Sequence, residues 1–235
     1  MNRAKRFRLL SIIEDDNLRK FENQLKRFDT NIDREFSSRQ YGELNCADGT
    51  PLWYAVYFGS INIVKYLIEQ GANVNFSNGA PMIYIAADNY EITKLLLEAG
   101  ADPNINFQYL NPIFKTVKEC NIKVFDILRK YGAAVNIEFP DGNIISLATN
   151  NVIEARCYET WADNLDKAER MFRHILSDYT IFHSLDKTKA LKYAEVHGDK
   201  EIISLLEFQS LKFIAYGSMV KNSIDRDVLV KINII

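Results

Sequence analysis

Paired cysteines are missing from this sequence. Cys46, Cys120 and Cys157 are odd in number and scattered along 235 residues. That excludes a disulfide framework and the close spacing of zinc ligands, and it predicts three reduced thiols in a reducing compartment. Long apolar runs are missing too. Nothing approaches the ~18 residues of a membrane span, so no membrane partner is expected. An excess of either charge is absent, with 29 basic against 31 acidic side chains and a net charge of −2. A chain with no basic field has no electrostatic support for bulk nucleic-acid binding, and none is expected. The basic start Arg3, Lys5, Arg6, Arg8 reads as a solvated terminus rather than a phosphate or acidic-partner site. The apolar run behind it is short, and Glu14-Asp15-Asp16 ends it without a small-residue cleavage site, unlike a secretory signal. The expected location is the cytoplasm, or a host cytosol reached without a Sec signal.

Catalytic signatures are also lacking. No G-x-x-x-x-G-K, H-E-x-x-H, G-x-S-x-G or C-x-x-C occurs, so no catalytic, cofactor or metal residues are assigned. Asp163-Asn164-Leu165-Asp166 lacks the glycine and glutamate of a calcium loop. An enzyme reading would need a site in residues 150–235 built from Cys157, His174 or His183. It is the weaker alternative, because nothing in the sequence pairs these side chains.

What is present is a repeat. In residues 48–75, Asp48-Gly49 supplies turn chemistry, Thr50 a helix cap and Pro51 the first helical position. Gly59 breaks the first helix. Ile63, Val64, Leu67 and Ile68 mark one face of a second, and Gly71 ends it. Neither helix reaches the ~12–15 residues that stand alone in water, so a neighbour must cover them. Leu52, Met82, Ile113 and Ile145 recur at 30-, 31- and 32-residue intervals, and Pro51, Pro81 and Pro112 precede the first three. The exits recur as Gly71-Ala72-Asn73-Val74-Asn75, Gly100-Ala101-Asp102-Pro103-Asn104 and Gly132-Ala133-Ala134-Val135-Asn136. This grammar resembles the ankyrin repeat, with its T-P-L-H-x-A-A opening and G-A-D-V-N exit.

The resemblance implies an all-α ankyrin-repeat solenoid of about five to six helix-turn-helix repeats in a single domain, 1–235. Residues 5–33 read as a degenerate cap, with Leu9, Leu10, Ile12 and Ile13 in its first helix and Asp16-Asn17 at its turn. Repeats follow at 45–77, 78–106, 109–137, 140–183 and 187–207, and 208–235 is a capping tail. Residues 34–47 read as a polar extension of a hairpin finger. The second copy is one residue short between its helices, and Ala80 stands where threonine would cap. About 14 extra residues in the fourth full copy region are expected near 151–163, helical and ordered. In the family a histidine of the opening motif ties neighbouring loops by hydrogen bonds. Here Trp53, Ile83, Phe114, Ser146 and Lys192 replace it, and packing is expected to supply the tie.

The family's surface then implies the function: a non-enzymatic module that binds a folded protein through a palm of first helices and a row of finger turns. Positions just before the inter-helix turn are free of packing. These are Tyr57 and Phe58, Ala87 and Asp88, Lys118 and Glu119, with Asp48, Asn78, Tyr109 and Asp141 near the fingers. Tyr57-Phe58 is the expected anchor, weighed against packing on Trp53. Tyr158 and Trp161 are a second candidate, weighed against anchoring their own repeat. The partner would be an unidentified protein: a toxin held by an inhibitor or immunity protein, or a host protein captured by a secreted or viral effector. The free chain is expected to be a monomer.

Overall fold

A computed structural model describes residues 3–28, 32–33, 49–77, 80–105, 107, 110–139, 142–157, 162–178, 181 and 185–210. The chain falls into two compact units, Met1–Ala134 and Val135–Ile235. Among the described residues there are helices and isolated bridges but no strand.

The first unit is a double row of short helices. The pairs are α1 (Arg3–Glu14) with α2 (Leu18–Phe28), and α3 (Pro51–Phe58) with α4 (Ile61–Glu69). Then come α5 (Met82–Ile85) with α6 (Tyr90–Glu98), and α7 (Pro112–Lys118) with α8 (Ile122–Lys130). Helices α1, α3, α5 and α7 pack in sequence along one row, and α2, α4, α6 and α8 along the other. The reason is burial. Leu52, Met82 and Ile113 are at most 1% exposed, and Ile63, Val64, Leu67, Ile92, Leu96, Val124, Phe125 and Leu128 are fully covered. Ile68, expected on that inward face, is only half-buried at its margin, as is Leu95. In the cap, Leu9, Leu10, Ile12, Ile13 and Phe21 close the near end of the core.

Helix starts follow their caps. Thr50 Oγ1 accepts the Trp53 N–H at 3.2 Å, and Asn111 Oδ1 that of Phe114 at 3.2 Å. Ala80 offers no such acceptor, and α5 is a single turn continued by a 3₁₀ turn, Ala86–Asp88. That tighter turn absorbs the missing residue. Where Gly59 and Cys120 sit left-handed at φ +76 and +54, the second copy uses Asn89 at φ −113, which caps α6 through the Ile92 N–H. Asp16, at φ +46, caps across repeats: its carboxylate accepts from the N–H groups of Asn62 and Ile63 at 3.1 and 3.0 Å.

The second helices end alike. Gly71, Gly100 and Gly132 donate to the carbonyls of Ile68, Leu97 and Arg129, and the alanines that follow donate to Leu67, Leu96 and Leu128. This is the paired bonding of a Schellman stop. The asparagines closing the first two exits then grip the exit that follows. Asn75 accepts the Asp102 N–H at 2.8 Å and donates to the Gly100 carbonyl at 3.1 Å. Asn104 does the same with Ala134 at 2.7 Å and Gly132 at 3.0 Å. The expectation that packing alone ties neighbouring repeats is therefore corrected. Hydrogen bonds do it at the exits, and Trp53, in the histidine's place, also donates from Nε1 to the Ala80 carbonyl at 3.3 Å.

In the second unit, α9 (Ile144–Cys157) packs against both α10 (Ala162–Ser177) and α11 (Thr188–Val196), and a further helix, α12, spans 200–210. Helices α9 and α10 run 14 and 16 residues, against 8 and 9 in α3 and α4. Asn143 caps α9 through the N–H groups of Ile145 and Ser146, and its amide nitrogen donates to the Asp186 carbonyl at 2.7 Å. Met171, Phe172, Ile175 and Leu176 form the buried face of α10, as their spacing predicts. Ala190, Ala194, Ile202 and Leu206 are buried, whereas Leu191 is only partly covered. Arg156 binds these elements together. It bonds Asp199 at 2.7 Å, Glu169 at 2.8 Å and Glu201 at 2.9 Å. The segment 34–47, Asp48, Asn78, Tyr109, Asp141, Tyr158, Trp161, His183 and the tail beyond 210 lie outside the described residues.

Candidate binding surface

The first-row helices of the first unit place equivalent positions side by side. Trp53, four per cent exposed, is fixed by its bond to Ala80. Tyr57 lies one turn on and stacks flat upon it, ring centroids 5.5 Å apart and planes 9° from parallel. Tyr57 still shows 42% of its surface. Phe58 meets Tyr57 edge-on at 5.4 Å and lies 6.5 Å from the buried ring of Tyr54. The two readings of this pair are therefore combined in one residue: Tyr57 packs on Trp53 and exposes its other face. A rigid, supported aromatic ring is ordered before any partner arrives.

One repeat on, Ala87 is buried and Asp88 is exposed. Asp88 pairs with Lys115 of the following repeat at 3.7 Å. Lys115 also donates to the Ile85 carbonyl at 3.1 Å and lies 5.2 Å over the ring of Tyr84. Tyr84 and Lys115 occupy the same repeat position as Tyr54, and both are half-buried. Neither lies next to an inter-helix turn or at a finger tip, so neither stands among the positions the sequence marks as free of packing. The signal that could have found them was the matched spacing from Pro51, Pro81 and Pro112. Burial first, and then the nearby Glu119 carboxylate, push the Tyr84 hydroxyl above its ordinary pKa. Lys118 and Glu119 are exposed at the end of α7. Phe107 is 39% exposed in the next finger, whose turn closes with the Leu110 N–H on the Phe107 carbonyl at 2.8 Å.

The surface is thus aromatic at one end and mixed in charge at the other. Cys157 is exposed and His174 half-buried in the second unit. Among the described residues no three His, Cys, Asp or Glu side chains are grouped to hold a metal ion. No described helix is long and apolar enough to cross a membrane.

Residues 21–107 match the family model for ankyrin repeats in three copies. A protein of Acanthamoeba polyphaga mimivirus described as an ankyrin repeat protein is 37% identical over 100 residues, 40% of this chain and 13% of its own length. An ankyrin repeat, SAM and basic leucine zipper domain-containing protein of Dasypus novemcinctus is 30% identical over 93 residues, 36% of this chain and 20% of its own. Alpha-latrocrustotoxin of Latrodectus tredecimguttatus is 34% identical over 99 residues, 40% of this chain and 7% of its own. The chain therefore spans between 7% and 20% of the length of these curated relatives.

Proposed function

Because residues 21–107 carry ankyrin repeats, a general protein-interaction module, we propose that this chain acts by binding a folded protein through α3, α5, α7 and their finger turns. The observation that carries the reading is Tyr57, exposed on one face and stacked on the fixed Trp53 on the other. Aromatic rings in such settings dominate binding hot spots. Asp88, Lys115, Lys118 and Glu119 form the charged part of the same surface and would set orientation and rate of association. Tyr109 in the finger, and Tyr158 with Trp161 in the second unit, are further contacts on this reading. The family is typically non-enzymatic, and the surface described here suits binding rather than turnover.

The partner of choice is a toxin, with this chain as its inhibitor or immunity protein. A second reading, capture of a host protein by a viral or secreted effector, is favoured by the mimiviral relative. Affinity capture from the source organism, followed by binding measurements with the purified candidate, separates them. Recovery of a toxin supports the first and of a host protein the second. Tyr57→Ala combined with Phe58→Ala should weaken the confirmed complex at least tenfold, about 1.4 kcal/mol. Unchanged affinity in that double variant would remove the aromatic surface from the interface.

A further inference from the structure

A cleft of about 700 Å³ lies between α1 and α2 in the cap. From α1, Arg8, Ser11, Ile12 and Asp15 line it at three- and four-residue spacing, one helix face. From α2 come Lys20, Asn23, Gln24 and Lys26. Its floor is unusual. Gln24 is 5% exposed beside Ile12 at 7%, and its amide makes no hydrogen bond among the described residues. Solvent reaches that amide through the cleft, since among the described residues only Thr149 Oγ1 is fully covered without a hydrogen-bond partner. The three cations likewise have no ion-pair partner among the described residues. Everywhere else in the first unit the buried polar side chains described above cap a helix or tie two repeats. Here they are aimed at an open cleft.

We propose that this cleft binds an acidic peptide segment of a partner protein. Gln24 can donate to and accept from the main chain of an extended segment at once. Arg8 and Lys26 fall at the end of the antiparallel pair away from the turn, where they meet carboxylates. Asp15 and Lys20 fall at the turn end, so the segment is held in one direction. The 12 residues of α1 span about 18 Å, the reach of about five extended residues. A continuous phosphate backbone fits less well, because Asp15 stands in its path and the chain carries a net charge of −2. No residue is shared with the aromatic surface of α3, so the two proposals fail separately.

Fluorescence anisotropy of the full chain with fluorescein-labelled hexaglutamate tests it, with hexaserine as the control peptide. Binding of hexaglutamate alone is expected, weakening as salt rises. Lys20→Glu with Lys26→Glu should weaken it by about tenfold or more, whereas Lys123→Glu, equally exposed on α8, should leave it unchanged. Gln24→Leu should weaken binding by about threefold or more while the helical circular-dichroism spectrum is retained, because it removes the amide that meets the main chain of the segment. Equal loss in the Lys123→Glu variant, equal binding of hexaserine, or retention of phosphatidylserine vesicles without the peptide would each overturn the proposal.

Discussion

Cys120 occupies the left-handed turn that Gly59 occupies two repeats earlier, at φ +54 against +76. A side chain in that region is strained by about 1 kcal/mol relative to glycine. Cys120→Gly should therefore raise the unfolding free energy from urea titration by about that much; a fall would show that the thiol's own contacts outweigh the strain. Two further residues separate capping from packing. Thr50→Ala leaves the Trp53 N–H without its acceptor and should cost about 1 kcal/mol. Leu67, fully buried between α4 and its neighbours, should cost about 2–5 kcal/mol on truncation to alanine. Equal losses in chemical denaturation would contradict the burial of Leu67.

Elements are held to one another by single side chains acting on main-chain atoms. Asn104 makes two such bonds to the next exit. Asn104→Ala should cost about 1–2 kcal/mol, with Asn104→Asp in between because the acceptor survives; an unfolding curve identical to wild type would show that water replaces the clamp without loss. The start of α11 gives a pH dependence. The Asp186 carboxylate accepts first from the Thr188 N–H and then from its hydroxyl, and both lower its pKa. A depressed folded pKa means its contribution is present above the ordinary carboxylate range and is lost as pH falls through the folded value. Circular dichroism on acidification should show the wild type losing stability there, and Asp186→Asn, which cannot titrate, should flatten that part of the curve. Parallel curves would place the acid sensitivity elsewhere.

At the scale of the whole molecule, the first unit is organised by neighbour-to-neighbour contacts along its two rows. That is why so much of it was legible. Pro51, Leu52, Gly59 and Gly71 act through local backbone geometry, and their recurrence announces each helix pair. The Asn75 and Asn104 clamps were not read, although both residues stood in the repeated exit. Their bonds cross 25 to 30 positions, and spacing within one loop says nothing about a partner in the next. The ion cluster on Arg156 was not read, since its three carboxylates come from the start of α12 and from α10. On the surface, Tyr57 was legible as an exposed ring and Asp88 as a position that packing leaves open, whereas the ion pair of Asp88 with Lys115 of the next repeat was not.

The exit asparagines hold only peptide groups of the loop that follows, never its side chains. Any copy added by tandem duplication would thus arrive carrying its own hook and offering the eye for the one before it. Lengthening such a chain requires no newly evolved joint, and the faces of its helices stay at liberty to diverge.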